Sequence, residues 1–312
     1  MKVSVVTLRH CIRTVLGDEE AAQSSPENMK KIIKMYLKQS FHPIFKLNEN
    51  ICKRLSHFFR KEKNEKEIMK HVRNSQNDVC LLHTLRNMLY KKEKKEAGDR
   101  ELSRINDLYY ELKLVQKKLS PSFKYLDLGC SEGKITKAMI HALRLRPEQA
   151  FACDIFDQPS EPEFSFKLNT PTHIPYENHQ FDFVTLFMSA HHFSHMDDMM
   201  KELLRVLKPG GYVLIREHNL TSPDDEIFYN IIHALYACVI NSEMTPYNFV
   251  ESFIHAEQTS HYSKYYSIAN WIRLFRGYGF TEMSTGAHGF YDKYNRTYKF
   301  DQMNGFYQMF QV

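Results

Sequence analysis

Asp127, Gly129, Cys130, Ser131, Gly133 and Lys134 fall together in the stretch Phe-Lys-Tyr-Leu-Asp-Leu-Gly-Cys-Ser-Glu-Gly-Lys-Ile-Thr at residues 123–136. A carboxylate, a thiol, a hydroxyl and an ammonium beside two glycines could phosphorylate, hydrolyse or grip a polar cofactor. The spacing separates these options. A P-loop has four residues between its glycines and a Ser or Thr after the Lys. Here three residues intervene and Ile135 follows Lys134, which disfavours nucleotide hydrolysis. Gly129-Cys-Ser-Glu-Gly133 does satisfy the Gly-x-Ser-x-Gly elbow of α/β-hydrolases. No His-Gly-Gly-Gly oxyanion motif lies upstream, however, and an Asp two residues before the first Gly has no task in a hydrolase. What remains is a loop whose backbone comes close to a ligand because two of its residues lack Cβ.

The elements that must position this loop are an apolar strand ending in Asp127 and a helix over about 132–144. Gln149-Ala-Phe-Ala-Cys-Asp154 predicts a second strand ending in a carboxylate. At that point of a nucleotide-binding sheet, an acid accepts both ribose hydroxyls. Phe181–Ser189 is aromatic and β-branched, as a buried strand is. Met199, Met200, Leu203, Leu204 and Leu207 recur at helical spacing and predict a core-facing stripe. Leu207-Lys-Pro-Gly-Gly-Tyr-Val-Leu-Ile215 stops that helix and opens another strand.

Asp-x-Gly-x-x-x-Gly at 127–133, with Lys208-Pro-Gly-Gly ahead of an apolar strand, resembles the class I methyltransferases that use S-adenosylmethionine (SAM). The likeness covers residues 101–312. It implies that Asp127, Gly129, Cys130, Ser131 and Gly133 hold the amino-acid end of SAM and Asp154 the ribose. It also implies that Asn169 and Thr170 lie near the adenine, and Phe187, Met188 and Ser189 beside the transferred methyl. Arg104-x-Asn106 echoes a segment that closes over SAM in such enzymes. No metal is implied. The expected fold is α/β: a Rossmann-like, doubly wound sheet with helices on both faces and an antiparallel last strand.

The whole chain has 312 residues, room for one such domain and a smaller appendage. Residues 1–100 carry 22 Lys and Arg against 12 Asp and Glu, a net +10, whereas residues 121–312 carry 16 against 22. The positive segments, including Lys91-Lys-Glu-Lys-Lys95, are interleaved with Ile33, Tyr36, Leu37, Phe41, Phe45 and Leu55. That pattern predicts a basic, mainly helical region over 1–100, guiding RNA or extending a cofactor lid, ahead of a methyltransferase domain over 101–312. A basic face binds phosphates by counterion release; a solvated Lys/Glu helix face is the plainer alternative. The cysteines at 11, 52, 80, 130, 153 and 238 form no Cys-x-x-Cys pair and read as reduced thiols of a cytoplasmic protein. No signal-peptide pattern opens the chain and no apolar run has the length of a membrane span, so no membrane partner is expected.

Phe181-Asp-x-Val-Thr, followed by His191, resembles a motif of messenger-RNA cap guanine-N7 methyltransferases. Ile215-Arg-Glu-His218 and the basic lead-in are similar to the capping methyltransferases of large cytoplasmic DNA viruses. That resemblance implies capped RNA as partner, a guanylyltransferase in the same chain or complex, and a place in host cytoplasm or virion. His191, Glu217 and Tyr307 are its acceptor-orienting candidates, Tyr307 lying in a last strand Gly305–Phe310. The pattern departs where Lys264-Tyr265-Tyr266 replaces a Glu-Tyr pair, leaving Glu217 or Glu257 to hold the guanine. Guanine N7 has a free lone pair, so its methylation requires positioning rather than a base. A small-molecule methyltransferase and a non-catalytic RNA-binding subunit stand as alternatives.

Overall fold

A computed structural model of the chain describes residues 45–59, 65–75, 108–157, 163–240, 263–283, 298–300 and 303–312, with single positions at 78, 81, 82, 85, 86 and 105. Arg104, Asn106, Glu257 and the Lys91–Lys95 run lie outside the described residues. Two compact units form: Met1–Ala97 with Thr221–His261, and Gly98–Leu220 with Tyr262–Val312. The assignment of 221–261 to the first unit has no counterpart in the sequence pattern.

The second unit holds the sheet. Its strands are β1 (Tyr125–Leu128), β2 (Ala150–Asp154), β3 (Ser165–Leu168), β4 (Phe181–Phe187), β5 (Leu207–His218), β6 (Thr281–Glu282), β7 (Tyr298–Phe300) and β8 (Met303–Gln311). They run in the order β3-β2-β1-β4-β5-β8-β6, with β7 hairpinned onto β8. β1 to β5 are parallel and β8 is antiparallel to β5, as the sequence predicts. The order reverses between β1 and β4, and ligands of open α/β sheets gather outside the strand ends at such a switch point. Helices α3 (Tyr109–Gln116) and α4 (Lys134–Leu143) belong to this unit, as do α5 (Met196–Val206) and α7 (Ile268–Gly277).

Parity along each strand sorts the core into two faces. Leu126, Leu128, Val184, Leu186, Val213 and Ile215 pack with Met199, Met200 and Leu203 of α5 and Trp271 and Phe275 of α7. Tyr125, Phe183, Tyr212 and Leu214 pack with Val115 of α3 and Met139, Ile140 and Leu143 of α4. The methionine stripe is therefore core. β3 is the sheet edge, largely exposed, which is why its residues lack the pattern of a buried strand.

The first unit contains α1 (Glu49–Phe58), α2 (Glu65–Arg73) and α6 (Pro223–Ile240). Asn48 caps α1 by accepting from the Ile51 N–H at 2.9 Å. Arg54 pairs with buried Asp225 at 2.8 Å, and its guanidinium lies 4.2 Å from the centre of the Phe228 ring. Among the described residues, no helix is long and apolar enough to cross a membrane.

Candidate functional site: the loop after β1

The loop between β1 and α4 is shaped by its glycines, though not only for the reason the sequence suggests. Gly129 and Gly133 both have positive φ, 81° and 71°, which an L side chain resists. A Cβ on Gly129 would sit 2.4 Å from the Ser189 Cβ, and one on Gly133 would sit 2.7 Å from the Phe164 ring. The missing side chains thus make room for the protein's own Ser189 and Phe164. The Gly129 and Cys130 N–H groups donate to the Cys153 carbonyl at 2.8 and 3.2 Å, extending the β1–β2 pairing into the loop.

Asp127 lies beneath this loop, 2% exposed. Its Oδ2 accepts from the Thr136 hydroxyl at 2.6 Å and its Oδ1 from the Thr185 hydroxyl at 2.8 Å. Tyr125 Oη extends the chain to Thr185 at 2.8 Å. Burial raises the Asp127 pKa to about 6, against the two hydroxyl bonds that favour the ionised form. The carboxylate therefore ties β1, β4 and the first turn of α4 together. Thr136 and Thr185 were missed from sequence. Their signal was a hydroxyl in the first turn after Gly133 and the single polar residue on the α4-facing side of a buried strand.

Asp154, 8% exposed at the end of β2, accepts from the Ser131 N–H at 2.8 Å and the Phe156 N–H at 3.2 Å. Ser131 reaches that position in the left-handed region, φ 49°. Beside Asp154, Ile155 and Phe156 expose 43% and 56% of their surface, and Leu168 of β3 exposes 51%. Asn169 donates its backbone N–H to the Asp154 carbonyl at 3.0 Å and its amide to the Thr170 carbonyl at 3.0 Å. Its Oδ1 is buried without a hydrogen bond among the described residues, an orphaned acceptor of the kind a ligand amino group satisfies. Thr170 is exposed and bridges to His173. A glycine loop, a carboxylate, exposed apolar side chains and an orphaned acceptor thus line the ends of β1, β2 and β3, next to the switch point, and this set fits SAM. The Cys130 thiol is buried and pushed well above the ordinary thiol range by that burial, so it is no nucleophile.

At the ends of β4 and β5, Glu217 and His191 meet with side chains 0% exposed. Glu217 Oε2 lies 2.6 Å from His191 Nδ1, while Oε1 accepts from the Ala190 N–H at 2.8 Å and the His191 N–H at 3.4 Å. Burial pushes Glu217 up to about 8 and His191 down to about 3, so the imidazole is neutral. Tyr265 stacks on the His191 ring at 5.5 Å, and the Lys264 N–H donates to the His191 carbonyl. The Lys264-Tyr265-Tyr266 segment, a departure in the cap pattern, is thus a wall of this pair.

The three acceptor-orienting candidates do not assemble. In the β5–β8 ladder Glu217 faces Phe306 whereas Tyr307 faces Arg216, and successive strand residues point to opposite faces. Tyr307 packs with the α4-side core, edge-on to Phe187 at 6.0 Å. Phe306 belongs to the other core. Tyr307 is accordingly a core aromatic under Phe187 and not a partner of the His191–Glu217 pair. Met188, half-buried at φ 59°, and Ser189 turn the chain from β4 toward His191.

The chain is similar to known methyltransferases. The chain is 31% identical over 131 residues to the methyltransferase GfsG of Streptomyces halstedii, covering 39% of this chain and 44% of that protein. It is 30% identical over 115 residues to the ubiquinone/menaquinone biosynthesis C-methyltransferase UbiE of Ralstonia pickettii, covering 33% of this chain and 46% of the relative. The chain spans about half the length of these curated relatives. A SAM-dependent methyltransferase structure from Aquifex aeolicus matches 72% of this chain and 98% of its own, at 14% identity and a TM-score of 0.39. Residues 49–285 match the methyltransferase domain family model; the chain belongs to that family, the class I SAM-dependent methyltransferases.

Proposed function

We propose that the chain transfers the methyl group of SAM to a small organic acceptor. SAM supplies an electrophilic methyl; the chain's residues hold it and exclude water. Asp154, held by the Ser131 N–H, would engage the ribose, Asn169 Oδ1 an adenine amino hydrogen, and the 129–133 backbone the amino-acid end. The observation that carries the small-acceptor reading is the closed His191–Glu217 pair. Both side chains are fully buried against each other, so they offer no open edge on which a purine base could be read. The names of curated relatives, C-methyltransferases of ubiquinone/menaquinone biosynthesis among them, point the same way.

Guanine N7 of capped RNA remains the second reading, favoured by the Phe181–His191 spacing and the +10 charge of residues 1–100. Under it, a capped transcript and an associated guanylyltransferase are the partners, and 1–100 is the RNA-guiding region ahead of 101–312. One experiment separates the two. The protein is incubated with methyl-labelled SAM and either quinol and sterol acceptors or GpppA-capped RNA. Label in an organic product and none in RNA supports the first reading. Label recovered as 7-methylguanosine overturns it in favour of the second.

A further inference from the structure

Three strand ends meet beside the cofactor loop, and one buried carboxylate governs how they fit. Glu217, at the end of β5, takes three contacts from two consecutive residues, the Ala190 N–H, the His191 N–H and His191 Nδ1. It therefore pins the short turn Ala190–His192. Immediately upstream, the Ser189 hydroxyl donates to the Leu128 carbonyl at 2.9 Å. Its Cβ fills the space where Gly129 would carry its own, 2.4 Å from that position. The Met188 N–H donates to the Arg216 carbonyl at 2.7 Å, with Met188 in the left-handed region. A non-glycine residue in that region persists where its surroundings over-determine it, and here β5 holds Met188 itself while Gly129 receives the next residue, Ser189.

We infer that Glu217 is a positioning residue for the cofactor loop: by clamping Ala190 and His191 it presses Ser189 against Gly129 and so sets where the loop stands to receive SAM. The carboxylate is fully buried and acts on the ligand through Ser189. This role does not depend on which acceptor is methylated. It predicts coupling between Glu217 and Ser189, which share no hydrogen bond and are joined through the turn that Glu217 pins.

The test is a calorimetric titration of the full chain and its variants with SAM, alongside thermal unfolding. E217A should bind SAM about tenfold more weakly while retaining a folded circular-dichroism spectrum. E217Q keeps an acceptor for the two N–H groups, and the imidazole can present its other tautomer to the amide; it should restore most of the affinity. F275L, in the core away from the loop, serves as a control for lost stability alone and should leave SAM affinity unchanged at an equal loss of Tm. S189V, which crowds Gly129 with the clamp intact, should also weaken SAM, and E217A/S189V should be less than additive. Wild-type affinity in E217A, an equal affinity loss in F275L, or strict additivity of the double variant would each overturn the inference. If E217A does not fold, wild-type SAM affinity in S189V overturns it.

Discussion

Gly129→Ala probes both functions of the loop glycine and separates them. At φ 81° an alanine meets the steric cost of the left-handed region, about 1–2 kcal/mol. Its Cβ would also stand 2.4 Å from the Ser189 Cβ, well inside the contact distance of two carbons, and relieving such overpacking costs about 1–3 kcal/mol. The sum is about 2–5 kcal/mol, a large part of the stability of a typical domain. Urea denaturation of four proteins resolves the two contributions: the unmodified chain, G129A, S189G and G129A/S189G. In the S189G background the steric partner is gone, so Gly129→Ala should cost only the backbone part, about 1–2 kcal/mol. An identical cost in both backgrounds would refute the packing argument. A neutral G129A would refute the conformational one as well.

Asp127, with its pKa raised from 3.8 to about 6, holds its proton more tightly in the folded chain than in the unfolded one. Folding stability should therefore fall as pH rises from about 4 to 6, by on the order of 3 kcal/mol, and D127N should remove that fall when the two are compared by denaturant titration. Glu217, raised to about 8, acts in the same sense at higher pH. His191, lowered to about 3, acts in the opposite sense below 6.5. Between pH 6.5 and 8 only the Glu217 effect of this pair remains, a decline in stability with rising pH that E217Q should flatten. Asp154→Ala should weaken SAM binding by about 1–3 kcal/mol by calorimetry, since it also strands the Ser131 N–H. Unchanged affinity in that variant would remove Asp154 from the cofactor site.

Much of the sheet was legible because its strands announce themselves. Phe181–Phe187 is mostly buried and rich in aromatic and β-branched residues, and Lys208-Pro-Gly-Gly breaks the preceding helix. β3 escaped because an exposed edge strand has no buried face to impose a pattern. The strand–loop–helix turn was legible from Asp127, Gly129 and Gly133, whose spacing is local. What the glycines pack against was not, since Ser189 and Phe164 are distant in sequence and meet them only in the fold. The same limit explains Tyr307. Its place in the last strand could be read, but which face it occupies depends on its register against Arg216 and Glu217, and a shift of one residue reverses the answer. The partnership of His191 with Glu217, 26 residues apart, follows from β4 and β5 being neighbours. Their closure on each other depends on Tyr265, which belongs to a later segment.

SAM binding by this chain underlies every role assigned to the loop after β1. Titrating the purified full chain with SAM in a calorimeter should show saturable binding at one site per chain without added metal. The demethylated product should compete for that site, and Asp154→Ala should lose most of the affinity. Absence of SAM binding by the unmodified, folded chain would contradict those assignments.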